Sequence, residues 1–336
     1  MNRPVVALLS VSCVVFGLAG TGVAQQLPAT DNIESHVARA KAAAGEYHPG
    51  LFNSLCSQNS LQPPAAAARG QGAGGAAPAQ PGPPPASAWH AEPVKVFDNL
   101  YFVGMTEYSA WAVKTSEGLI IVDAIFDYSV EDEVAGGLKK LGLDPATIKY
   151  VVVSHGHLDH FGGAKYLQDH FNARVLMSAA DWELVAQGNA RSEKPRRDMV
   201  IADGQKLTLG ETTLTFYLTP GHTPGTVSTL LPVKDNGTPH LVAEWGGTGF
   251  NFQRSPERFR TYVESAERFR DIAGKAGADV IIANHTNLDG SKLKMPALAL
   301  RKPGEPHPYV IGNEAVKGYL TVAAECAKAA ALALAK

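Results

Sequence analysis

The chain has 336 residues, of which 45% are hydrophobic and 18% charged, and its formal net charge is −2. This length and apolar content are enough to bury a large core, in one big domain or two small ones. A nearly neutral chain without a long basic block argues against a nucleic-acid groove as the main surface, so we expect a small-molecule substrate instead.

The first 24 residues have the pattern of a secretory signal peptide. Met1-Asn2-Arg3 supplies a basic start, an apolar stretch follows, and small residues lead to Ala24, after which we expect cleavage. A membrane anchor is the alternative, but small and polar residues dilute the apolar stretch, and its strongly apolar part is shorter than the roughly 20 residues that a span needs. We therefore predict a periplasmic or secreted protein that has no stable membrane insertion once the signal is removed.

Residues 25–61 are predicted to form a helical arm, because Asp31 and Glu34 resemble a capping box ahead of apolar residues at helical spacing. Residues 62–88 are mostly Ala, Gly, Pro and Gln. This composition cannot form a packed core, so it predicts a linker. The main domain is then expected at residues 89–300.

Two cysteines, Cys56 and Cys326, remain after the predicted cleavage. In an oxidising compartment two thiols favour a disulfide. Two separate buried thiols are the alternative, because the sequence does not show whether the two Cα atoms come close enough to be bridged. The sequence leaves both interpretations open.

The first half of the main domain predicts strands followed by a strand-helix alternation. Alternating apolar residues predict a β-meander between Val94 and Val122. Ser129 is expected to cap a helix that is stopped by Gly142. The apolar strand Ile148–Val153 then leads into a polar loop.

The second half repeats this order. Short strands are predicted between Met199 and Ala243, a helix from Ser255 and a further strand over Ala278–Ala283. Residues 301–336 are expected to be a C-terminal extension whose final helix begins at Asn313. Two such series suggest two packed sheets with helices outside, although periodicity alone does not separate this arrangement from other layered α/β folds.

The polar loop after Ile148–Val153 holds the densest group of metal-ligand side chains. His155, His157, Asp159 and His160 lie within six positions. If buried, each of these side chains must replace its lost water with a partner. A solvated loop would account for a single histidine, but four such groups favour a metal ion, and zinc prefers imidazole and carboxylate ligands.

Further ligands are expected at later strand ends. His222 lies between two Pro-Gly pairs after the strand-like segment Thr212–Leu218, and His285 follows Ala278–Ala283. The remaining histidines lack partner spacing and are expected at the surface or in packing: His36, His48, His90, His170, His240 and His307.

The order His-x-His-x-Asp-His, a His between two Pro-Gly turns, and a His after an apolar strand resembles the metallo-β-lactamase superfamily. Within it, Pro93–Gly104 and Thr219–Gly225 are most similar to the third lactamase subclass, B3. The resemblance covers roughly Trp89 to Leu300. It implies an αββα sandwich of two mixed β-sheets with helices on the outer faces and the site in a cleft at one edge.

The resemblance also implies a centre with two Zn²⁺ ions. His155, His157 and His222 would hold the first ion, and Asp159, His160 and His285 the second. Three-ligand sites leave positions open for a hydroxide, and zinc lowers the pKa of the bound water toward roughly 7. Asp159 is then expected to be catalytic as well, by orienting this nucleophile and accepting its proton.

The segment after the strand Leu241–Ala243 departs from the family pattern. Superfamily members usually place a functional residue here: a metal-bridging Asp in many glyoxalase II-type esterases and lactonases, Cys in other lactamases, and Ser in the third subclass. The segment Glu244–Gly249 has no Cys or Asp, which agrees best with the third subclass, but the Ser is also missing. Thr248 or Glu244 would replace it only approximately. Glu244 either bridges the metals or ends a strand, and we favour the strand end.

These patterns predict an exported zinc-dependent hydrolase that uses a metal-bound hydroxide to open the amide of β-lactams, an antibiotic-resistance activity. One alternative keeps the dinuclear centre and acts on a lactone, thioester or other ester. The alternative from another class is a non-catalytic metal-binding module. Six intact ligands argue against that module.

Overall fold

The computed structural model describes residues 31–57, 82–188 and 192–334, together with Met1 and Leu61. The predicted signal peptide from Asn2 onward, its cleavage point after Ala24 and residues 62–81 of the predicted linker lie outside the described residues. Within the described ranges, no helix combines the length and apolar character needed to cross a membrane.

Seven strands form the first sheet in sequence order. They are β1 (Val94–Lys95), β2 (Leu100–Phe102), β3 (Trp111–Thr115), β4 (Gly118–Val122), β5 (Ile148–Val152), β6 (Arg174–Ser178) and β7 (Met199–Ile201). β1 to β4 are the predicted antiparallel meander, and β4 to β7 run parallel. The loops that follow β4, β5 and β6 therefore leave the sheet at the same edge.

Five strands form the second sheet, in the order β12-β11-β10-β9-β8. They are β8 (Lys206–Leu209), β9 (Thr212–Leu218), β10 (Val227–Asp235), β11 (Thr238–Trp245) and β12 (Val280–Ala283). β8 to β11 are antiparallel, whereas β11 and β12 are parallel. The β9–β10 turn and the ends of β11 and β12 consequently share one edge.

Helices cover the outer face of each sheet. They are α1 (Ile33–Ala44), α2 (Pro49–Leu55), α3 (Gly137–Lys140, continuing a π-helical segment Glu131–Gly136), α4 (Leu158–Phe161), α5 (Ala164–Phe171), α6 (Ala179–Gln187), α7 (Pro256–Ala276), α8 (Ser291–Leu300) and α9 (Asn313–Ala333). α1, α2, α7 and α9 pack on the second sheet, and the helices between residues 131 and 187 pack on the first.

The core consists of three apolar layers, one between the sheets and one beneath each set of helices. Strand alternation produces this division: Val242 packs between the sheets, while Leu241 and Ala243 face the helices. The predicted αββα sandwich of two mixed sheets is confirmed.

The N-terminal arm packs on the terminal helix. α1 contacts α9, and a disulfide joins Cys56 to Cys326 with a Cα–Cα distance of 5.1 Å. The predicted capping box at Asp31 and Glu34 is wrong by one residue. Asn32 caps α1 instead, because its side chain accepts a hydrogen bond from the Ser35 amide at 2.8 Å while the Asn32 amide donates to Ser35 Oγ at 3.2 Å.

The region after β12 contains one helix beyond the prediction, α8, which includes Pro296. The terminal helix begins at the predicted Asn313. It packs against α7 in the same helical layer, and Val310 forms a β-bridge with Val280 of β12. The C-terminal segment therefore packs against the second sheet and its helices.

Candidate metal centre

The shared edge of the two sheets brings the six predicted ligand residues together in two neighbouring clusters. The loop after β5 carries His155 and His157, and α4 begins immediately afterwards, so Asp159 and His160 lie on its only turn. His222 comes from the β9–β10 turn and His285 follows β12. Each cluster therefore has two side chains from the first sheet and one from the second.

The first cluster consists of His155, His157 and His222. Nε2 of His222 lies 3.1 Å from His155 Nε2 and 3.1 Å from His157 Nδ1. The opposite nitrogens of two rings are fixed, because His155 Nδ1 donates to the Gly246 carbonyl at 2.7 Å and His222 Nδ1 donates to the Gly249 carbonyl at 2.7 Å. Their Nε2 atoms are then unprotonated hydrogen-bond acceptors that face each other, which is unfavourable. A cation bound between the two nitrogens would remove this repulsion.

The second cluster consists of Asp159, His160 and His285. Asp159 Oδ2 lies 3.2 Å from His160 Nε2 and 3.7 Å from His285 Nε2. His160 Nδ1 donates to Asp123 at 2.9 Å, whereas its buried Nε2 faces the Asp159 carboxylate without a well-aligned hydrogen bond among the described residues. A buried ring nitrogen that lies beside a carboxylate but forms no well-aligned hydrogen bond fits a metal ligand.

Both clusters contain buried and partly exposed side chains. His155, His160 and His222 are 1%, 0% and 3% exposed. His157 is partly exposed, and the side chains of Asp159 and His285 are 23% and 27% exposed. Solvent therefore reaches both clusters.

Burial and charge change the acidity of these groups. Burial lowers the pKa of His222 to about 3 and that of His285 to about 4. Burial would also lower the pKa of His160, but the carboxylates of Asp159 and Asp123 outweigh it and raise this pKa to about 10. The charge of His160 in turn holds the pKa of Asp159 below its ordinary range, against the effect of burial. The carboxylates thus require positive charge beside them, which a proton or a metal ion supplies.

Asp123, which follows β4 and has φ +61°, was not predicted as a site residue from the sequence. Its carboxylate accepts hydrogen bonds from the Ser154 amide at 2.8 Å and Ser154 Oγ at 2.9 Å, in addition to the one from His160. Asn284 Nδ2 donates to it at 2.7 Å. Asp123 therefore orients His160 and joins the ends of three strands. The signal in the sequence was a single acid after the apolar run Leu119–Val122.

Glu244 and Thr248 do not belong to either cluster. Glu244 lies next to last in β11, and burial, strengthened by the charge of Asp123, raises its pKa to about 8. Its position agrees with the strand-end interpretation. The Thr248 hydroxyl is buried and lies 3.3 Å from the hydroxyl of Tyr319.

The other histidines do not join the clusters. His36 pairs with Glu325, His90 with Glu133 and His240 with Asp279. His307 stacks on Phe97 at 4.2 Å, His170 stacks on Tyr166 at 4.0 Å, and the buried His48 donates to the Ala315 carbonyl at 2.7 Å.

The fold and the two clusters together define a class of protein. The family model described as the Metallo-beta-lactamase superfamily matches residues 104–235. Over these residues the chain is similar to this superfamily of hydrolases, as its motifs predict.

Among solved structures, subclass B3 metallo-β-lactamases are similar to this chain. The chain is similar to BJP-1, a subclass B3 metallo-β-lactamase of Bradyrhizobium japonicum, with 29% identity, a TM-score of 0.59, and coverage of 68% of this chain and 89% of that chain. FEZ-1 of Legionella gormanii shares the fold at 23% identity and a TM-score of 0.61, covering 68% of this chain and 91% of that chain. The predicted similarity to the third lactamase subclass is confirmed.

Curated relatives have other activities. The chain is 28% identical to the N-acyl homoserine lactonase AttM of Azorhizobium caulinodans, over 52% of this chain and 73% of the relative. It is 27% identical to the hydroxyacylglutathione hydrolase of Acidiphilium cryptum, over 40% of this chain and 51% of the relative. The chain thus spans only about half the length of this second relative.

Proposed function

We propose that the protein is an exported hydrolase that opens the amide of β-lactams at a centre of two zinc ions. The observation that carries this proposal is a pair of neighbouring three-residue clusters, neither of which includes a further carboxylate among the described residues. The similarity to subclass B3 structures supports it.

The donor set suits zinc, because imidazoles predominate over oxygen ligands. His155, His157 and His222 would hold one ion, and Asp159, His160 and His285 the other. Zinc bound there would lower the pKa of water toward about 7 and stabilise charge on the attacked carbonyl.

Neighbouring groups of the chain orient these ligands, and Asp159 would accept the proton of the attacking water. The carbonyls of Gly246 and Gly249 fix two imidazoles, and Asp123 fixes His160. Asp159 is the carboxylate of the two clusters, and its side chain is 23% exposed. It would orient the attacking water and accept its proton.

The segment after β11 supports a β-lactam over an ester. A Cβ added to Gly246 would meet the Val227 carbonyl oxygen at 1.7 Å, and one added to Gly247 would meet His222 Cβ at 2.6 Å. The backbone is therefore too closely packed to carry a metal-ligating side chain at either position. Glu244 belongs to neither cluster, so the second cluster keeps three ligands without the bridging Asp of many lactonases.

Lactone or thioester hydrolysis is the second candidate. The similarity to a lactonase and to a hydroxyacylglutathione hydrolase favours it. The same two clusters would serve either bond, so a substrate screen across β-lactams, acyl-homoserine lactones and thioesters separates the two proposals.

Export is supported by the signal-like sequence up to Ala24 and by the disulfide, a bond that persists in oxidising compartments. The mass of the protein recovered from the periplasm or medium tests this. A chain that begins at Gln25 is the expected result, and an uncleaved cytosolic chain would contradict it.

The function is tested with the zinc-loaded protein and nitrocefin. We expect two zinc ions per chain and turnover that a chelator abolishes and zinc restores. Asp159→Asn should lower turnover by at least about 100-fold while zinc remains in the first cluster. Asp169→Asn is the matched control, because Asp169 is exposed and pairs with Lys165 on α5. Zinc-loaded protein that hydrolyses a lactone or thioester but no penicillin, cephalosporin or carbapenem would replace the first proposal with the second.

A further inference from the structure

A buried carboxylate outside both clusters connects the two loops that carry the first cluster. Asp181 lies on the first turn of α6 and is 0% exposed. Its Oδ2 accepts hydrogen bonds from the Gly156 amide at 2.7 Å and from Thr223 Oγ1 at 2.6 Å. Its Oδ1 accepts one from the Gly225 amide at 2.8 Å. One side chain therefore joins the loop after β5 to the β9–β10 turn.

These contacts lie directly beside the candidate ligands. Gly156 separates His155 from His157, and Thr223 follows His222. The two loops belong to different sheets, and a backbone hydrogen bond from the Val227 amide to the Ser154 carbonyl at 2.8 Å links them beside the histidines. Asp181 adds three hydrogen bonds to this link.

Arg258 holds the same turn through its backbone carbonyls. Its Nε donates to the Gly221 carbonyl at 2.6 Å, and a terminal nitrogen donates to the His222 carbonyl at 2.8 Å. The guanidinium also lies 5.1 Å from the centre of the Phe252 ring. Asp181 and Arg258 together form hydrogen bonds to four residues of one turn, which are Gly221, His222, Thr223 and Gly225.

The turn is shaped for this close packing. A Cβ at Gly225 would meet Ser178 Oγ at 2.0 Å and Asp181 Oδ1 at 2.8 Å. Gly221 has φ +142°, and a Cβ there would meet Tyr262 Cα at 2.6 Å. Only glycine allows the turn to approach α6 and α7 this closely.

We infer that Asp181 and Arg258 are positioning residues that hold His222 at metal-binding distance from His155 and His157. This inference rests on the proposed function in treating the first cluster as a zinc site. Residues that orient metal ligands typically contribute 10–100-fold in metal affinity. An arrangement that exists before the ion arrives avoids the cost of ordering two loops during binding.

A purely stabilising role for Asp181 in the fold is the competing hypothesis. Asp198 provides the comparison, because it also accepts hydrogen bonds from a strand amide and from two side chains: from Val175 at 3.0 Å, Gln168 at 2.5 Å and Arg196 at 3.1 Å. It lies near the start of β6, away from the cluster edge. Loss of Asp198 should therefore affect stability without affecting zinc binding.

The test measures zinc affinity by competition with a chromogenic chelator. A His285→Ala background isolates the first cluster, because only that cluster then keeps all three ligands. Asp181→Asn and Arg258→Met should each weaken zinc binding by about 10–100-fold. Arg258→Lys should restore part of the loss, since an ammonium group still donates to one carbonyl. Asp198→Asn should lower the urea midpoint of the metal-free protein and leave zinc affinity unchanged.

Thr223→Val extends the test if Asp181→Asn does not fold, because it removes one of the three hydrogen bonds to Asp181 and should also weaken zinc binding. Unchanged affinity in the Asp181, Thr223 and Arg258 variants would overturn the inference, and so would an equal loss in Asp198→Asn. A parent protein that binds no zinc would instead refute the proposed function.

Discussion

The disulfide between Cys56 and Cys326 is expected to contribute strongly to stability, because it closes a very long loop. The two residues are 270 positions apart in the sequence. Restricting an unfolded loop of that length gives about 5–6 kcal/mol in the chain-entropy relation, and native disulfides typically contribute about 2–5 kcal/mol. We therefore expect the double variant Cys56→Ala/Cys326→Ala to lose about 3–5 kcal/mol of unfolding free energy.

Urea unfolding followed by tryptophan fluorescence measures this loss. Reduced wild-type protein is the control, and it should lose a similar amount. Zinc binding of the folded variant should be retained, since none of the six candidate ligands lies on α2 or α9. Two free thiols in wild-type protein denatured without reductant would refute the reasoning. A double variant within about 1 kcal/mol of wild type would refute the estimated magnitude.

Two further predictions concern the helical layer and the β9–β10 turn. Burial would raise the pKa of Glu325, but hydrogen bonds from Lys328, His36 and Arg39 lower it from 4.5 to about 2. The stabilisation by this carboxylate is therefore present above its ordinary pKa and lost as the pH falls toward 2. In urea unfolding, the difference in unfolding free energy between wild type and Glu325→Gln should shrink between about pH 5 and about pH 3. A constant difference would contradict this. Gly225→Ala should lower unfolding free energy by about 1–3 kcal/mol through overpacking against Ser178. Gly136→Ala, where the nearest atom lies 3.5 Å from the added Cβ, should be neutral or slightly stabilising, and equal losses in the two variants would show that packing is not the cause.

The candidate ligands were predictable because histidines and an aspartate crowded at a strand end have few roles besides metal binding. Such side chains need partners when they are buried, and the parallel strands of each sheet deliver them to a common edge. The fold followed from the same motifs through family resemblance, while strand periodicity alone left other layered folds open.

The groups that orient the ligands were not predictable. Asp123 and Asp181 are single acids, one after a strand and one inside a helix, and Arg258 is one of several basic residues on α7. Their roles arise from hydrogen bonds to residues distant in the sequence, which leave no local pattern. Distance is also the reason that the Cys56–Cys326 pairing stayed open. Helix α8 was missed because Pro296 lies inside it, and an internal proline ordinarily argues against a helix.

Each candidate cluster takes two side chains from the loop after β5 and one from the second sheet, His222 or His285. Neither sheet assembles a complete ligand set by itself, so ion binding and the docking of the two sheets are thermodynamically linked. An ion present at a thousand times its dissociation constant would add about 4 kcal/mol to the folded state. Removal of the ion should accordingly speed amide hydrogen exchange first where the sheets meet at this edge, long before the far ends of the strands respond.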